Sequence, residues 1–430
     1  MKVKVKLLPN RIEFYFERDN DDEHLRLSKT ANNVMTDEVI YVKINREVSE
    51  RIHPDIIGLV TILICNPYVA NVLELPLAVS SRFLSSANSV ISRYDIISKI
   101  DEDLIPLSPL EDGLPGLAFS GGADSCAALA IMPARTKCIF LKRPMTKESK
   151  YNYDAPVKIC NLLADSGFDI YVVETNLENI RNPTGFPTDL ANSIPALLLS
   201  ESLNLDSVSF GTVLESAFGI GHREFREYGK TPHWRFFNTL FTSVGLKLSL
   251  PVAGISEVGT SIISSKSLIA SLSQSCIRGD YRHPCLNCWK CFRKELLAHS
   301  LGQTENLNIF NFLKSNEVQK NLTNLPISHE NVILYSIQRI NLEEFSNLNP
   351  LVNKLDKHKN VEFLERWYPD SIEFVPDKYR FTIRENILKY LEVMMPSDIN
   401  NIKNWNMANH LENPKTLIGQ EKLIQFWQTI

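Results

Sequence analysis

Six residues, Ser120-Gly121-Gly122-Ala123-Asp124-Ser125, restrict what this chain can fold into more than any other stretch. They follow the apolar run Leu117-Ala118-Phe119, which reads as a buried strand. They precede Cys126-Ala127-Ala128-Leu129-Ala130-Ile131-Met132, a helix-forming run that stops at Pro133. The order is therefore strand, tight turn, helix. Two glycines let the backbone take dihedrals that a side chain forbids and approach a ligand closely. The first amides of the helix lack intrahelical partners and carry the positive end of its dipole, so the turn suits an anion. Ser120 and Ser125 add hydroxyl donors. Asp124 suits such a site if it caps the helix or meets a metal that phosphates also bind. No Gly-Lys-Ser/Thr follows, which excludes a Walker A loop.

Around this turn the pattern alternates. Strands are expected at 116–120, 137–141, 169–173 and 207–211, with helices at 124–132, about 155–164 and 189–203. Short apolar strands alternating with helices predict an α/β fold with a doubly wound parallel sheet. Ligands of such sheets sit at the carboxyl ends of the strands. Lys142, Arg143 and Glu174 occupy such ends, as do Gly211, Thr212 and Glu215. Each of these charges is either a solvated loop group or part of a nucleotide site. Glu215, following Gly-Thr, suits magnesium held against ATP phosphates. His222 and Arg223 lie in a glycine-containing stretch that reads as a lid or substrate loop.

A second signal is Cys276, Cys285, Cys288 and Cys291, half of the 8 cysteines. Four thiolates at C-x8-C-x2-C-x2-C spacing can close a tetrahedron around Zn²⁺ with no position left for chemistry. An iron–sulfur cluster is the competing occupant, because C-x2-C-x2-C also suits one. Cys65, Cys126, Cys138 and Cys160 lie in apolar contexts and read as core.

The 430 residues allow two or three domains. Residues 1–110 read as an α+β module for scaffolding or partner binding, with strands near 3–7, 11–16 and 39–44 and helices at 54–65 and 80–97. Pro106 to Pro115 reads as a linker, 111–300 as the nucleotide-binding domain, and 301–430 as a helical region. The opening Met1-Lys2-Val3-Lys4-Val5-Lys6 is unlike a signal peptide, and the run Ile56–Cys65 is too short to span a bilayer. Both point to a cytoplasmic protein without membrane partners. A net charge of −4 argues against nucleic acid as a bulk partner.

The hexapeptide resembles the SGGxDS signature of the PP-loop ATP pyrophosphatase superfamily. With the cysteines in place, residues 116–299 are similar to 7-cyano-7-deazaguanine synthase (QueC), and extra segments at both ends resemble QueC-like proteins of antiviral defence operons such as the Qat system. The resemblance implies cleavage of ATP between the α- and β-phosphates and activation of a carboxylate on a deazaguanine-like substrate, followed by amide or nitrile formation. It implies ATP, Mg²⁺ and Zn²⁺ as cofactors. Ser120, Asp124, Ser125 and Lys266 would be catalytic. Residues 120–125 with Gly211, Thr212 and Glu215 would bind ATP, and His222 and Arg223 the substrate. Departures from the pattern occur at Ala191, where QueC carries an Arg before the Asn, and at Leu268, where an acid is expected. The extra segments suit a protein partner or a homodimer. Two alternatives stand beside this reading. One is a tRNA-modifying enzyme of the thiolation type, using Arg278, Arg282, Lys290, Arg293 and Lys294 on RNA. The other is a non-catalytic nucleotide-binding subunit of a defence complex.

Overall fold

The computed structural model describes residues 1–27, 34–144, 151–269, 272–305 and 307–427. The chain opens with β1 (Lys2–Leu8) and β2 (Arg11–Glu17), then β3 (Val34–Met35), β4 (Val39–Val42), β5 (Val72–Glu74) and β6 (Asp95–Ile97). Five of these form a sheet of order β4-β2-β1-β5-β6. Ile12, Phe14 and Phe16 of β2 point into the core, the period-two pattern of a strand, although Glu13 between them is buried too. The helix Pro54–Cys65 is buried almost all round. The expected 80–97 helix is shorter. It ends at Val90, where Ile91 turns extended and leads to β6.

The second sheet contains β7 (Leu114–Phe119), β8 (Lys137–Lys142), β9 (Asp169–Glu174), β11 (Leu205–Ser209) and β12 (Lys247–Ser249). The short β10 (Arg181–Asn182) pairs with β3 outside it. The order is β12-β11-β7-β8-β9, and every neighbouring pair is parallel. From β7 the chain winds outward to β9, then returns to the other side of β7 for β11 and β12. This is the doubly wound α/β sheet anticipated above, with its topological switch between β7 and β11. The Ser120–Ser125 turn leaves β7 at that switch, where the crevice for a ligand opens.

Pro115 sits inside central strand β7, a position that normally needs a backbone donor. Pairing with β11 slips there: Leu114 faces Leu205 and Pro115 faces Ser207, skipping Asp206. The skipped carboxylate accepts from Tyr379 Oη at 2.6 Å and Lys378 Nζ at 2.9 Å. Leu117 and Phe119 face one core layer and Ala118 the other.

One other expectation shifts. The 189–203 helix becomes a 3-10 turn at Ala191–Ser193 and a short helix Ile194–Leu198, because Pro195 fits only a first turn. A helix at Pro232–Ser243 adds to the expected elements. Thr231 accepts from the Trp234 amide and Pro232 starts the helix, a cap-and-proline signal present in the sequence.

Contacts join the flanking segments to the parallel sheet. Lys43 N–H donates to Glu174 O at 2.8 Å, so β4 laps the edge strand β9. The helix Asp377–Leu388 lies on the helix after β7, with Asn386 Nδ2 donating to Ile131 O. Among the described residues no helix is long and apolar enough to cross a membrane.

Candidate functional site

Gly121 takes φ +74°, a left-handed dihedral that favours glycine. Gly122 is the N-cap of the helix Ala123–Ile131 and no side chain caps it. The turn is tied from within: Ser125 Oγ donates to Gly122 O at 3.1 Å and lies 3.0 Å from Ser120 Oγ. A strap from the cysteine segment closes it from outside. Gln274 N–H donates to Gly121 O at 3.0 Å, and Ala123 N–H donates to Ser275 Oγ at 3.3 Å. Gly211 serves packing here, since a Cβ at that position would meet the Ser125 amide nitrogen at 3.1 Å.

On one side of the turn lies a polar hollow of about 320 Å³, reached by Ala123, Ser264, Gln274, Lys290 and Lys294. Lys294 Nζ is 2.9 Å from Glu257 Oε1 and 3.7 Å from Asp124 Oδ1. Burial opposes its charge, but Asp124 and Glu257 outweigh burial and raise its pKa. Asp124 also accepts from Thr260 Oγ1 at 2.6 Å. Glu257 is a hub, 2% exposed, meeting Arg293 Nη2 at 3.1 Å and His329 Nδ1 at 3.1 Å as well as Lys294. Burial disfavours its ionisation, yet Lys294, Arg293 and His329 hold its carboxyl well below the usual range. Glu215 lies next to it and behaves oppositely. It is fully buried, and burial, reinforced by the Glu257 charge, pushes it up to about 7. Its oxygens accept from the Glu257 amide and from Asn331 Nδ2.

On the other side lies a cavity of about 80 Å³ at the ends of β7 and β8. Phe119, Phe140, Tyr153 and Phe186 give it aromatic walls. Asn192 also lines it, and its amide oxygen is buried without a hydrogen-bond partner among the described residues. Ser120 borders this cavity and Ala123 borders the polar hollow, so the turn runs from one to the other.

The four cysteines come together. Their Sγ atoms all lie within 4.8 Å of one another, with Cys285 Sγ 3.8 Å from Cys291 Sγ. Four sulfurs at about 2.3 Å from a single tetrahedral ion sit about 3.8 Å apart. The group thus has the size of a one-metal site. Cys288 caps the helix Trp289–Ser300, accepting from Cys291 N–H. Hydrogen bonding from the Cys291 thiol is the largest cause that brings its pKa down to about 5. The same helix carries Lys290 and Lys294 into the polar hollow. The knuckle therefore positions both the strap and the lysines.

The residues singled out in the sequence divide. Ser120, Gly121, Gly122, Ala123, Asp124 and Ser125 form the turn. Thr212 stands half-exposed two residues before helix Leu214–Phe218. Glu215 faces the Glu257 helix and Asn331. Lys266 ends the Glu257–Lys266 helix exposed, while Ser264 from that helix donates to Ala123 O at 2.7 Å. His222 and Arg223 are exposed; their backbone carbonyls accept from Trp405 Nε1 and Met407 N–H, and the His222 ring is 6.4 Å from that of His329. Lys142 pairs with Glu174 at 3.7 Å, and Arg143 with Glu178. Arg278 pairs with Glu317, and Arg293 is consumed by Glu257. Glu257, Thr260, His329 and Asn331 were missed: no short motif marks residues that meet only in three dimensions.

Residues 236–406 match a family of unknown function (DUF6395). That stretch contains the cysteines and the Glu257 hub but not the Ser120–Ser125 turn. No curated protein matches the chain. Among solved structures, the U34-tRNA thiolase NcsA from Methanococcus maripaludis, determined with its 4Fe–4S cluster, is similar at 14% identity and a TM-score of 0.26. The likeness covers 46% of this chain and 67% of that one and is too slight to bear on activity.

Proposed function

We propose that this chain is an AMP-forming enzyme of the PP-loop type, which activates a substrate carboxylate with ATP and passes it to an amine. The observation that carries this reading is the Ser120–Ser125 turn, a helix N-terminus bordered by an aromatic-walled cavity on one side and a lysine-lined polar hollow on the other. A purine base stacks in the first, where the unpartnered Asn192 oxygen can accept from its amino group. The phosphates follow the turn and the positive end of the helix dipole toward Lys290 and Lys294.

A substrate carboxylate oxygen attacks the α-phosphorus. The bond from that phosphorus to the oxygen bridging it to the β-phosphorus breaks, and pyrophosphate leaves. An amine then attacks the acyl carbon, AMP departs, and the amine proton passes to water. The chain contributes positioning and charge neutralisation, through turn amides and Lys294. Asp124 would be the carboxylate to meet Mg²⁺ carried by ATP; Glu215, buried behind the hub, would serve the fold. The cysteine group holds Zn²⁺ in this reading, because the Sγ spacing suits one ion and a cubane would spread the thiolates further. Zinc there supplies no chemistry beyond fixing the knuckle.

A thiolation reaction would need a reactive thiol or a cluster. Burial pushes the thiols of Cys65, Cys126, Cys138 and Cys160 up, away from reactivity. The defining experiment incubates the protein with ATP, magnesium and a panel of carboxylates including 7-carboxy-7-deazaguanine. Release of AMP with a mass change in one carboxylate is the expected result. ATP binding without AMP across the panel would instead favour a nucleotide-binding subunit.

A further inference from the structure

A net charge of −4 is a sum over the chain, and it hides a basic hollow of about 630 Å³ near the C-terminal helix Pro414–Trp427. Four lysines line it, Lys357, Lys359, Lys415 and Lys422, against one carboxylate, Asp356. Lys359 is engaged, its Nζ lying 3.8 Å from the centre of the Trp405 ring. Lys357, Lys415 and Lys422 have no ion pair among the described residues. Lys415 and Lys422 share one face of the helix with Gly419, which packs so closely that a Cβ there would be 2.5 Å from Asn353 O. Seven residues of helix separate the two ammonium-bearing positions by about 10 Å along the axis. That spacing spreads the charge over the length of successive phosphates in a chain.

The other walls refine the class of ligand. Asn353, Asn406, Asn409 and Asn413 also line it; Asn406 and Asn413 accept the Ala408 and Lys415 amides through Oδ1 and keep their Nδ2 groups to donate to phosphate oxygens. No open aromatic face waits for a base, because Lys359 covers Trp405, so contact is with the backbone and independent of sequence. The hollow also adjoins the site above. Asn406 bridges to Glu224, beside His222 and Arg223. On its floor His410 Nε2 is 3.0 Å from Glu330, the neighbour of hub residue His329.

We infer that this hollow docks the phosphodiester backbone of a single-stranded nucleic acid. The inference stands apart from ATP chemistry and is tested without it. Full-length protein is titrated against fluorescein-labelled oligouridylate and oligothymidylate, followed by anisotropy over a range of salt. Binding of at least one oligomer is expected. A Lys415→Glu/Lys422→Glu variant should bind about tenfold more weakly, with the salt slope reduced by about 1.4, at about 0.7 per phosphate contact on a single strand. Both positions are exposed, so the variant should melt like its parent. A Lys99→Glu/Lys247→Glu variant makes the same charge change elsewhere on the surface and should bind like the parent. Three outcomes overturn the proposal: neither oligomer binds, both variants lose affinity equally, or oligoglutamate competes as well as the oligonucleotides.

Discussion

The two sides of the Ser120–Ser125 turn are built by opposite means. The aromatic side is local: Phe119, Phe140 and Tyr153 come from β7, β8 and the start of the next helix, and they cost the fold nothing because apolar side chains belong at buried strand ends. The lysine side is assembled from afar. Asp124 meets Lys294, Lys294 meets Glu257, and Glu257 meets His329. Glu257 at the centre is removed from water, and pairing with Lys294, Arg293 and His329 makes that tolerable. One side follows from sheet topology; the other depends on the four-cysteine knuckle and on residues beyond 300.

The largest expected effect breaks the distant side at its anchor. Cys288→Ser removes a candidate metal ligand at the start of the helix that carries Lys290 and Lys294, while serine can still cap that helix. The variant should lose its bound metal, measured by elemental analysis, and should be insoluble or strongly destabilised, since metal binding is folding free energy in such knuckles. Wild-type protein carrying stoichiometric iron rather than zinc would remove the single-ion reading.

Glu257→Ala comes next. It leaves Arg293 and Lys294 buried with no carboxylate between them. Breaking a buried pair from one side costs about 3–5 kcal/mol, readable as a fall in the denaturant midpoint. A loss within error of zero would mean that water reaches the hub and that the two sides are less unlike than the burial suggests.

The same division explains what was legible in the sequence. The parallel sheet could be read because β7, β8, β9 and β11 are short apolar runs, and the turn because glycine and serine sit where the strand ends. The cysteines declared themselves by spacing. β12 was not legible: Lys247-Leu248-Ser249 is too short for any period. The hub was not legible either, because Glu257, Lys294 and His329 are separated by tens of residues and each alone looks like an ordinary surface charge. Glu215 shows the hazard from the other direction. Its place at a strand end fits a magnesium ligand, while its neighbours in space, Glu257 and Asn331, come from later in the chain.

A third prediction sharpens the contrast between the two buried glutamates. Glu215 is raised from about 4.5 to about 7. Below its unfolded pKa this group contributes its full stability, and that contribution is lost as pH rises through the folded pKa. Glu257 is shifted the other way, so its contribution is present above its unfolded pKa and lost as pH falls through the folded value. Between pH 4.5 and 7 the Glu215 part should decline by on the order of 3 kcal/mol. Glu215→Gln should flatten the decline across that window in denaturation measured at several pH values. An unchanged profile would show that Glu215 is solvated.

The smallest expected effect separates the two sides by ligand rather than by stability. In the proposed reading AMP would contact only the aromatic side and the start of the turn, and ATP alone would extend toward the lysine hollow. Lys294→Met removes one cation there and touches nothing in the cavity. ATP affinity should therefore fall about tenfold, about 1.4 kcal/mol, while AMP affinity stays the same, both measured by calorimetry. Lys294→Arg keeps the charge and should recover part of the loss. Arg293 and His329 still face Glu257 in the methionine variant, so the hub retains counter-ions and the fold should survive. Equal weakening of ATP and AMP would mean that Lys294 acts through the shape of the turn. No change in either would place the phosphates away from the hollow. Wild-type protein that binds neither nucleotide would leave the turn without its ligand and the whole reading with it.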